Sequence, residues 1–183
     1  TQQRVVPMNG RTEIAILSRQ GIHLELVETA GRLKEEAKAR KSGKWDHFAI
    51  EAPNLEELAV EANKKGLVWN YSTPKGITEY IYLKEKGVMG VNYTGPSGEV
   101  IEFCRDNDVN YRGRKGLLGW SHLALKVENM ERTEEFYGKL GFSKTGEGYL
   151  PTVEGDIRIH YLNKSDFTLE ILEMVGTGLR RLR

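Results

Sequence analysis

The sequence predicts an α+β fold built from repeated β-α-β-β-β modules. A strand pattern around His47 returns 75 residues later around His122, and each copy is followed by a helix that an asparagine can cap. Three hairpins, whose last strands contain Glu25, Glu102 and Glu170, align with a glutamate at the centre of that strand and large apolar residues beside it. The chain thus contains two complete modules and the last strands of an earlier one.

Length and composition bound the possible functions. With 183 residues, the chain is long enough for one mid-sized domain or two small ones. Its 39% hydrophobic and 29% charged residues are ordinary for a globular protein, and a net charge of +1 gives no basis for binding nucleic acid or an anionic membrane. The sequence has no run of about 18 apolar residues, so we expect no membrane-spanning helix.

The single cysteine and the N-terminus bear on the cellular compartment. Cys104 has no partner for an intrachain disulfide, which suits a reducing compartment, and we interpret it as a small packed hydrophobe. The N-terminus lacks the layout of a signal peptide, so we expect a cytoplasmic protein. It also lacks an initiator methionine, and we expect that processing or trimming has removed residues before Thr1.

Residues 1–30 hold the partial module. Apolar-rich stretches at 14–17 and 22–27 predict two strands joined by a hairpin turn, and residues 4–6 offer a strand before them. The opening strand and the helix of this module are missing from the sequence. A linker over residues 31–44 follows, whose charged segment is either a short helix or solvated chain.

Residues 45–106 form the first complete module. A strand over 47–52 leads to a helix that Asn54 can cap, with Glu57 at the capping-box spacing, and Gly66 is placed to end that helix. Three more strands are predicted at residues 68–71, at either 80–83 or 88–93, and at 100–104.

The second complete module repeats this order at residues 120–175. A linker over 107–119 precedes it, and a short tail over 176–183 follows it. Asn129 can cap its helix, which we expect to end at Gly141. Its strands are predicted at residues 122–127, 148–153, 157–162 and 167–172.

Side-chain alternation places polar groups of both modules on equivalent faces. His47 and His122 each share a face with an alanine, whereas their large apolar neighbours take the opposite face, where we expect the helix to pack. Glu102 and Glu170 lie between large apolar residues in the same way. If the modules pack side by side, these four side chains converge, and the donor set suits zinc, nickel, cobalt, manganese or iron(II). A solvated polar face is the alternative for any one of them.

Three stretches also carry a family resemblance. They are the opening strand Asp46-His47-Phe48-Ala49-Ile50-Glu51, the helix segment over residues 134–142 and the hairpin over residues 95–103. With the N-terminal hairpin, they resemble the vicinal oxygen chelate superfamily, which includes glyoxalase I, methylmalonyl-CoA epimerase, fosfomycin- and bleomycin-resistance proteins and extradiol dioxygenases. The resemblance implies βαβββ modules that pair into an open half-barrel sheet around a metal ion.

The resemblance also implies a set of metal ligands. In the family, the first strand of a module supplies a histidine or glutamine, and the last strand supplies a glutamate. Carried over to this sequence, the ligands are His47 and Glu102 in the middle module and His122 and Glu170 in the last. Glu25 is the equivalent position in the partial module, whose first-strand partner is absent from the sequence.

The sequence leaves the pairing of the modules open. Either the middle module pairs with the last one, which completes a set of two histidines and two glutamates, or it pairs with the partial module, which leaves one ligand missing. The helix sequence at 136–142 is typical of a leading module and that at 59–66 of a following one, which favours the second alternative. We then expect a homodimer in which modules pair or swap between chains.

Three functions follow from these features. The first, implied by the resemblance, is a metal-dependent lyase or isomerase of the glyoxalase I type that acts on a small substrate with vicinal oxygens. Its reaction passes through an enediolate, and Glu102 or Glu170 moves the proton. The second is an iron(II) extradiol-type dioxygenase. The third is a non-catalytic protein that sequesters a drug or metabolite in the groove between modules without a metal.

Overall fold

The computed structural model describes residues 2–8, 12–19, 21–29, 45–152 and 155–176. The chain divides into two compact units, Thr1–Gly43 and Lys44–Arg183. The charged segment over 33–40, predicted as a helix or solvated chain, lies outside the described residues. No helix in the described part of the chain is long and apolar enough to cross a membrane.

The first unit contains a three-stranded antiparallel sheet. Its strands pair in chain order and are β1 (Gln2–Met8), β2 (Thr12–Arg19) and β3 (Ile22–Thr29). Gly21 lies in the turn between β2 and β3 with φ of +80°, a conformation that glycine adopts without steric cost. The predicted hairpin and the strand before it are confirmed. Glu25 lies on β3, and its side chain is exposed.

The second unit repeats one order of elements twice. The first copy consists of β4 (Trp45–Glu51), α1 (Leu55–Lys64), β5 (Thr78–Tyr80), β6 (Val88–Thr94) and β7 (Val100–Asp106). The second copy consists of β8 (Gly119–Val127), α2 (Met130–Lys139), β9 (Ser143–Pro151), β10 (Asp156–Lys164) and β11 (Phe167–Val175). Both copies have the β-α-β-β-β order that the sequence predicts.

Both helices begin and end close to the predicted positions. The Asn129 side chain accepts a hydrogen bond from a backbone N–H in the first turn of α2, at 2.8 Å, and so caps that helix. The Asn54 amide instead donates to the Glu57 carboxylate, at 2.9 Å, so the side-chain cap predicted for α1 does not form. Gly66 and Gly141 follow the two helices with φ of +82° and +88°, the left-handed conformation that ends a helix.

One strand of the first copy departs from the prediction. The strand expected over 68–71 is reduced to a single bridge between Trp69 and Tyr93. The Thr73 hydroxyl accepts a hydrogen bond from the backbone N–H of Asn92, at 2.9 Å, so a side chain takes the place of a ladder hydrogen bond. The three-residue strand β5 pairs with β6 instead, and β6 is the later of the two alternatives for the middle strand.

All eight strands of the second unit form one sheet, in the order β5-β6-β7-β4-β8-β11-β10-β9. The last strand of each copy pairs in parallel with the first strand of the same copy, and the two first strands, β4 and β8, pair antiparallel at the centre. The sheet curls into an open half-barrel, so the predicted α+β fold is confirmed.

Of the two pairings that the sequence left open, the structure has the first, and the one that the helix sequence favoured is wrong. The middle module pairs with the last module in the same chain, through β4 and β8. Helix α1 packs on β6 and β7, and α2 packs on β9 and β11, so each helix contacts strands of its own copy. The helix sequence therefore carries little information about which strands meet at the seam between the modules. The swap between chains that followed from it is not needed to complete a four-ligand set.

Three clusters of apolar residues form the core of the second unit. One lies under α1 and includes Leu55, Val91 and Tyr93, and a second lies under α2 and includes Met130 and Ile171. The third is made by Ala49, Leu83, Val88, Cys104, Ala124, Ile159, Tyr161 and Leu172. Within this third cluster the Cys104 residue is 1% exposed, which agrees with its interpretation as a packed hydrophobe.

The connection between β5 and β6 contacts β9, the strand at the opposite edge of the sheet. The backbone N–H of Tyr149, on β9, donates to the carbonyl of Tyr82 at 3.3 Å, and Leu83 forms a bridge with Gly148. A side chain at Gly148 would place its Cβ 2.7 Å from the Leu83 side chain, which is itself buried. Gly148 therefore permits the close approach of this connection to β9.

Candidate metal centre

Four polar side chains meet at the centre of the sheet, one from each of its four central strands. His47 on β4 and His122 on β8 bring their Nε2 atoms to 3.1 Å from one another. Oε2 of Glu102, on β7, lies 3.0 Å from Nε2 of His47 and 3.2 Å from Nε2 of His122. Oε2 of Glu170, on β11, lies 3.4 Å from both nitrogens. Four of the five predicted ligands are thus adjacent.

Two alanines make room for these side chains. Ala49 on β4 is paired with Glu102 on one side and with His122 on the other, and Ala124 on β8 is paired with Glu170. Both alanines are completely buried. They occupy the face that carries the histidines, as the alternation of the sequence indicates. A larger side chain at either position would crowd the four groups.

The spacing and the charge of the four groups fit a divalent metal ion. Ligand bonds of about 2.0–2.1 Å place neighbouring ligand atoms about 3.3 Å apart in a tetrahedral site and about 3.0 Å apart in an octahedral one. The five separations that involve a histidine nitrogen lie between 3.0 and 3.4 Å, and the ligand atoms of His47, Glu102 and His122 form a group in which all lie within 4.8 Å of one another. Two neutral imidazoles and two carboxylates together carry two negative charges, which one divalent cation neutralises. Imidazole and carboxylate are also established ligands of the first-row divalent metals.

Burial makes a compensating positive charge necessary at this place. Glu102 and Glu170 are 6% and 3% exposed. Burial by itself raises the pKa of a carboxyl, but hydrogen bonds and the charges of His122 and His47 lower the pKa of Glu102 to about 2. Burial is opposed in the same way at Glu170, where the charge of His122 leads the effects that hold the pKa well below its ordinary value.

The histidines show the reciprocal effect. Burial by itself lowers the pKa of His122, but the charge of Glu170, together with hydrogen bonds to both glutamates, raises that pKa to about 9. Burial is likewise overcome at His47, where hydrogen bonds to Asp46, Glu102 and Glu170 raise the pKa well above its ordinary value. Without a metal, protons on the histidines supply the positive charge that the buried carboxylates require.

We expect the metal-free protein to be most stable between pH 4.5 and 6.5, the ordinary pKa values of Glu102 and His122. The raised pKa of His122 stabilises the fold below pH 6.5, and this contribution is lost as the pH rises through about 9. The lowered pKa of Glu102 stabilises the fold above pH 4.5, and this contribution is lost as the pH falls towards 2. Urea unfolding in the presence of a chelator measures both limbs. A stability that increases as the pH passes through 9 would contradict the pKa of His122.

The surroundings of the two glutamates differ. Burial raises the pKa of the Tyr161 hydroxyl, and so do the charge of Glu170 and the hydrogen bond that the hydroxyl donates to it. On the other side of the centre, Gly90 on β6 lies against the second oxygen of Glu102, and a Cβ at Gly90 would collide with that atom. Glu170 therefore has Tyr161 as its cross-strand neighbour, whereas Glu102 faces Gly90, which has no side chain.

Gly90→Ala is expected to displace the Glu102 carboxylate and to weaken metal binding. Because the new methyl group overfills a packed site, we expect a loss of about 1–3 kcal/mol in the free energy of unfolding. Gly138→Ala is the matched control, because Gly138 lies in α2 with no atom within 4 Å of an added Cβ. That variant is expected to gain about 0.5–1 kcal/mol. Urea unfolding and isothermal calorimetry with zinc measure both variants, and equal effects would contradict the placement of Gly90.

Glu25 lies in the first unit with an exposed side chain, and its role as a ligand stays a prediction. Gly90 and Tyr161 were not identified from the sequence. A glycine that interrupts an apolar strand signals a close approach and was available as a clue to Gly90. Tyr161 carries no comparable signal, because tyrosine is common in strands.

The similarity of this chain to known proteins is structural. No family model matches the chain, and no curated protein sequence matches it. Among solved structures, a glyoxalase I mutant from Zea mays superposes with a TM-score of 0.65, at 19% sequence identity, over 96% of this chain and 58% of its own. The chain has the vicinal oxygen chelate fold.

Two further proteins share the vicinal oxygen chelate fold with this chain. Methylmalonyl-CoA epimerase from Mycobacterium tuberculosis superposes with a TM-score of 0.51, at 17% identity, over 74% of this chain and 93% of its own. A mutant of 4-hydroxymandelate synthase from Streptomyces coelicolor gives a TM-score of 0.57, at 13% identity, over 95% of this chain and 64% of its own. The chain thus spans less than two thirds of the glyoxalase I and of the synthase.

Proposed function

We propose that this chain is a divalent-metal-dependent lyase or isomerase of the glyoxalase I type. It would move a proton between adjacent carbon atoms of a small substrate with vicinal oxygens. The observation that carries the proposal is that the ligand atoms of His47, Glu102 and His122 all lie within 4.8 Å of one another, and that Oε2 of Glu170 lies 3.4 Å from both imidazole nitrogens. The names of two proteins with the same fold, a glyoxalase I and a methylmalonyl-CoA epimerase, also support it.

The four side chains have two roles, metal binding and proton transfer. His47, His122 and Glu102 would hold the cation, with Glu170 as the fourth ligand. A bound divalent cation supplies Lewis acidity, which polarises the substrate oxygens and acidifies the neighbouring C–H bond. Zinc, nickel, cobalt, manganese and iron(II) all accept this donor set.

We assign the proton transfer to Glu102. Tyr161 is the cross-strand partner of Glu170, and the charge of Glu170 helps to raise the pKa of the Tyr161 hydroxyl, so a polar group lies beside this carboxylate. The second oxygen of Glu102 instead faces Gly90, which has no side chain. Glu102 therefore takes the proton from one carbon and returns it to the next.

The fourth donor separates this proposal from its main alternative. An iron(II) extradiol-type dioxygenase uses two histidines and one carboxylate, and it keeps the other positions open for oxygen and a catechol. Here Oε2 of Glu170 lies 3.4 Å from Nε2 of both His47 and His122, so it would be available as one more donor. A second carboxylate at this distance favours the lyase or isomerase. The homodimer and the cytoplasmic location predicted from the sequence remain part of the proposal.

Metal analysis and an activity panel test the proposed function. Protein purified without chelator is expected to contain about one equivalent of divalent metal per chain by mass spectrometry. Less than about a tenth of an equivalent, with no activation by nickel, zinc, cobalt or manganese, would overturn it. The panel contains the hemithioacetal of methylglyoxal and glutathione, methylmalonyl-CoA, and a catechol with iron(II) and oxygen. Oxygen uptake with the catechol would favour the dioxygenase.

A second measurement separates the enzyme from the drug-sequestering protein. The double variant His47→Ala, His122→Ala removes both imidazoles from the centre. If the chain sequesters small molecules without a metal, this variant is expected to bind bleomycin or fosfomycin as the unsubstituted chain does. If the proposed enzyme is correct, the variant loses both the metal and the turnover.

A further inference from the structure

The Nδ1 atoms of the two histidines in the centre contact different kinds of group. Nδ1 of His47 lies 3.0 Å from Oδ1 of Asp46, and the other carboxylate oxygen of Asp46 lies 2.6 Å from Nζ of Lys126. Nδ1 of His122 lies 3.1 Å from the hydroxyl of Ser121. Both rings therefore direct Nε2 towards the centre, but a carboxylate supports one ring and a hydroxyl supports the other.

The backbone explains how Asp46 reaches its neighbour. Consecutive side chains of a regular strand point to opposite faces of the sheet, so residues 46 and 47 should not touch. The register of β4 against β8 shifts between Trp45 and Phe48, and an irregularity of this kind re-aims a side chain. The Asp46 side chain is only 22% exposed, so its carboxylate is largely withdrawn from water and its hydrogen bonds are correspondingly stronger.

We propose that Asp46 is a positioning residue that orients the His47 imidazole with Nε2 towards the centre. The carboxylate accepts a hydrogen bond from Nδ1–H, and because the hydrogen stays on Nδ1, the lone pair available to a cation is on Nε2. The use of this orientation for metal binding rests on the proposed function, whereas the orientation itself is a property of the metal-free chain. Ser121 makes the corresponding contact to His122 without a charge.

Lys126 links this contact to the pairing of the modules. It lies on β8, in the second copy, next to Leu125, which pairs with Trp45 of β4. Its ammonium holds the Asp46 carboxylate from across the seam. The orientation of a ligand from the first copy thus depends on a charge supplied by the second copy.

The test compares Asp46→Ala and the isosteric Asp46→Asn with Ser121→Ala as the matched control, in the full chain. Proton–nitrogen NMR of the imidazoles detects the hydrogen on Nδ1 of His47 and its exchange with water. In the metal-free wild type this hydrogen is expected to exchange slowly, because a carboxylate accepts it. Asp46→Ala is expected to lose the slow exchange, whereas Ser121→Ala is expected to keep it. Circular dichroism shows that each variant is folded.

Zinc calorimetry supplies the second readout. The dissociation constant is expected to rise by about 10- to 100-fold in Asp46→Ala, the usual effect of removing a partner behind a metal-bound histidine. Asp46→Asn keeps an acceptor oxygen without the charge, and its rise is expected to be smaller. The rise in Ser121→Ala is also expected to be smaller, because a hydroxyl is a weaker acceptor than a carboxylate.

The outcomes distinguish this inference from the proposed function. Slow exchange at His47 that survives in Asp46→Ala overturns the role of Asp46, and so do equal losses of zinc affinity in Asp46→Ala and Ser121→Ala. A wild type that binds no zinc overturns the metal centre instead. In that case the NMR comparison in the metal-free protein still decides whether Asp46 orients His47.

Discussion

Replacing His122 by alanine is expected to destabilise the metal-free protein by about 3–5 kcal/mol, the usual cost of breaking a buried ion pair by removing one partner. The His122 side chain is 9% exposed, and its Nε2 lies 3.2 and 3.4 Å from the carboxylates of Glu102 and Glu170. Its removal leaves two buried carboxylates that share the single positive charge of His47. Urea unfolding in the presence of a chelator measures this loss.

The same substitution is expected to abolish metal binding at micromolar metal concentrations. Removing a residue that hydrogen-bonds a metal ligand lowers the metal affinity by about 10- to 100-fold. Removing the ligand itself should therefore lower the affinity by more than about 100-fold. His23→Ala is the matched control, because His23 is an exposed histidine on β3 whose contact is with the Ser18 hydroxyl. It is expected to change the free energy of unfolding by less than about 0.5 kcal/mol. If both variants unfold like the unsubstituted chain, the four groups do not meet.

Glu102→Gln is expected to lower kcat by about 10²- to 10⁴-fold, the usual contribution of a positioned general base. The amide retains an oxygen that can contact a cation but does not accept a proton at neutral pH. Metal content is therefore expected to stay near that of the unsubstituted chain. Turnover of the substrate identified in the activity panel, measured at saturating metal, gives the decrease.

Glu170→Gln provides the comparison for Glu102→Gln. Because Glu170 is assigned as a ligand and not as the base, this variant is expected to lose more metal affinity and to retain more turnover once saturated with metal. The reverse pattern would exchange the roles of the two glutamates. Equal losses of turnover in both variants would show that neither residue acts alone as the base.

The order of elements in the second unit was predictable because local features determine it. Strand alternation and capping asparagines can each be recognised within about ten residues of sequence. The missing strand at 68–71 shows the limit of that approach. There the Thr73 hydroxyl, rather than a neighbouring strand, satisfies the backbone N–H of Asn92, a contact between residues far apart in sequence.

The pairing of the modules was not predictable, because the signal used for it lies on the wrong surface. The helices pack on the strands of their own copy, whereas the seam is formed by β4 and β8. Along that seam, Ala49 is paired with His122. The sequence shows a small residue on the histidine face of each first strand. That this residue leaves room for a ligand from a neighbouring strand follows only from the order of the strands in the sheet.

The ligands and their supports differ in how far the sequence reveals them. His47, His122 and their glutamates repeat in equivalent places, and repetition of residue type is what distinguished them from ordinary polar faces. Gly90 and Asp46 have no counterpart of the same type in the other copy. Their roles arise from contacts across strands and from an irregular register, which strand alternation does not encode.

The close fit of Leu83 against Gly148 also bears on how the protein avoids aggregation. An edge strand has unpaired backbone N–H and C=O groups. A strand of another chain can pair with these groups, which leads to aggregation. In this sheet β9 is outermost, but its Tyr149 N–H already donates to the carbonyl of Tyr82 within the same chain. The connection between β5 and β6 thus occupies part of a surface on which a second molecule would otherwise add a strand, and it does so at a position where only glycine leaves enough room.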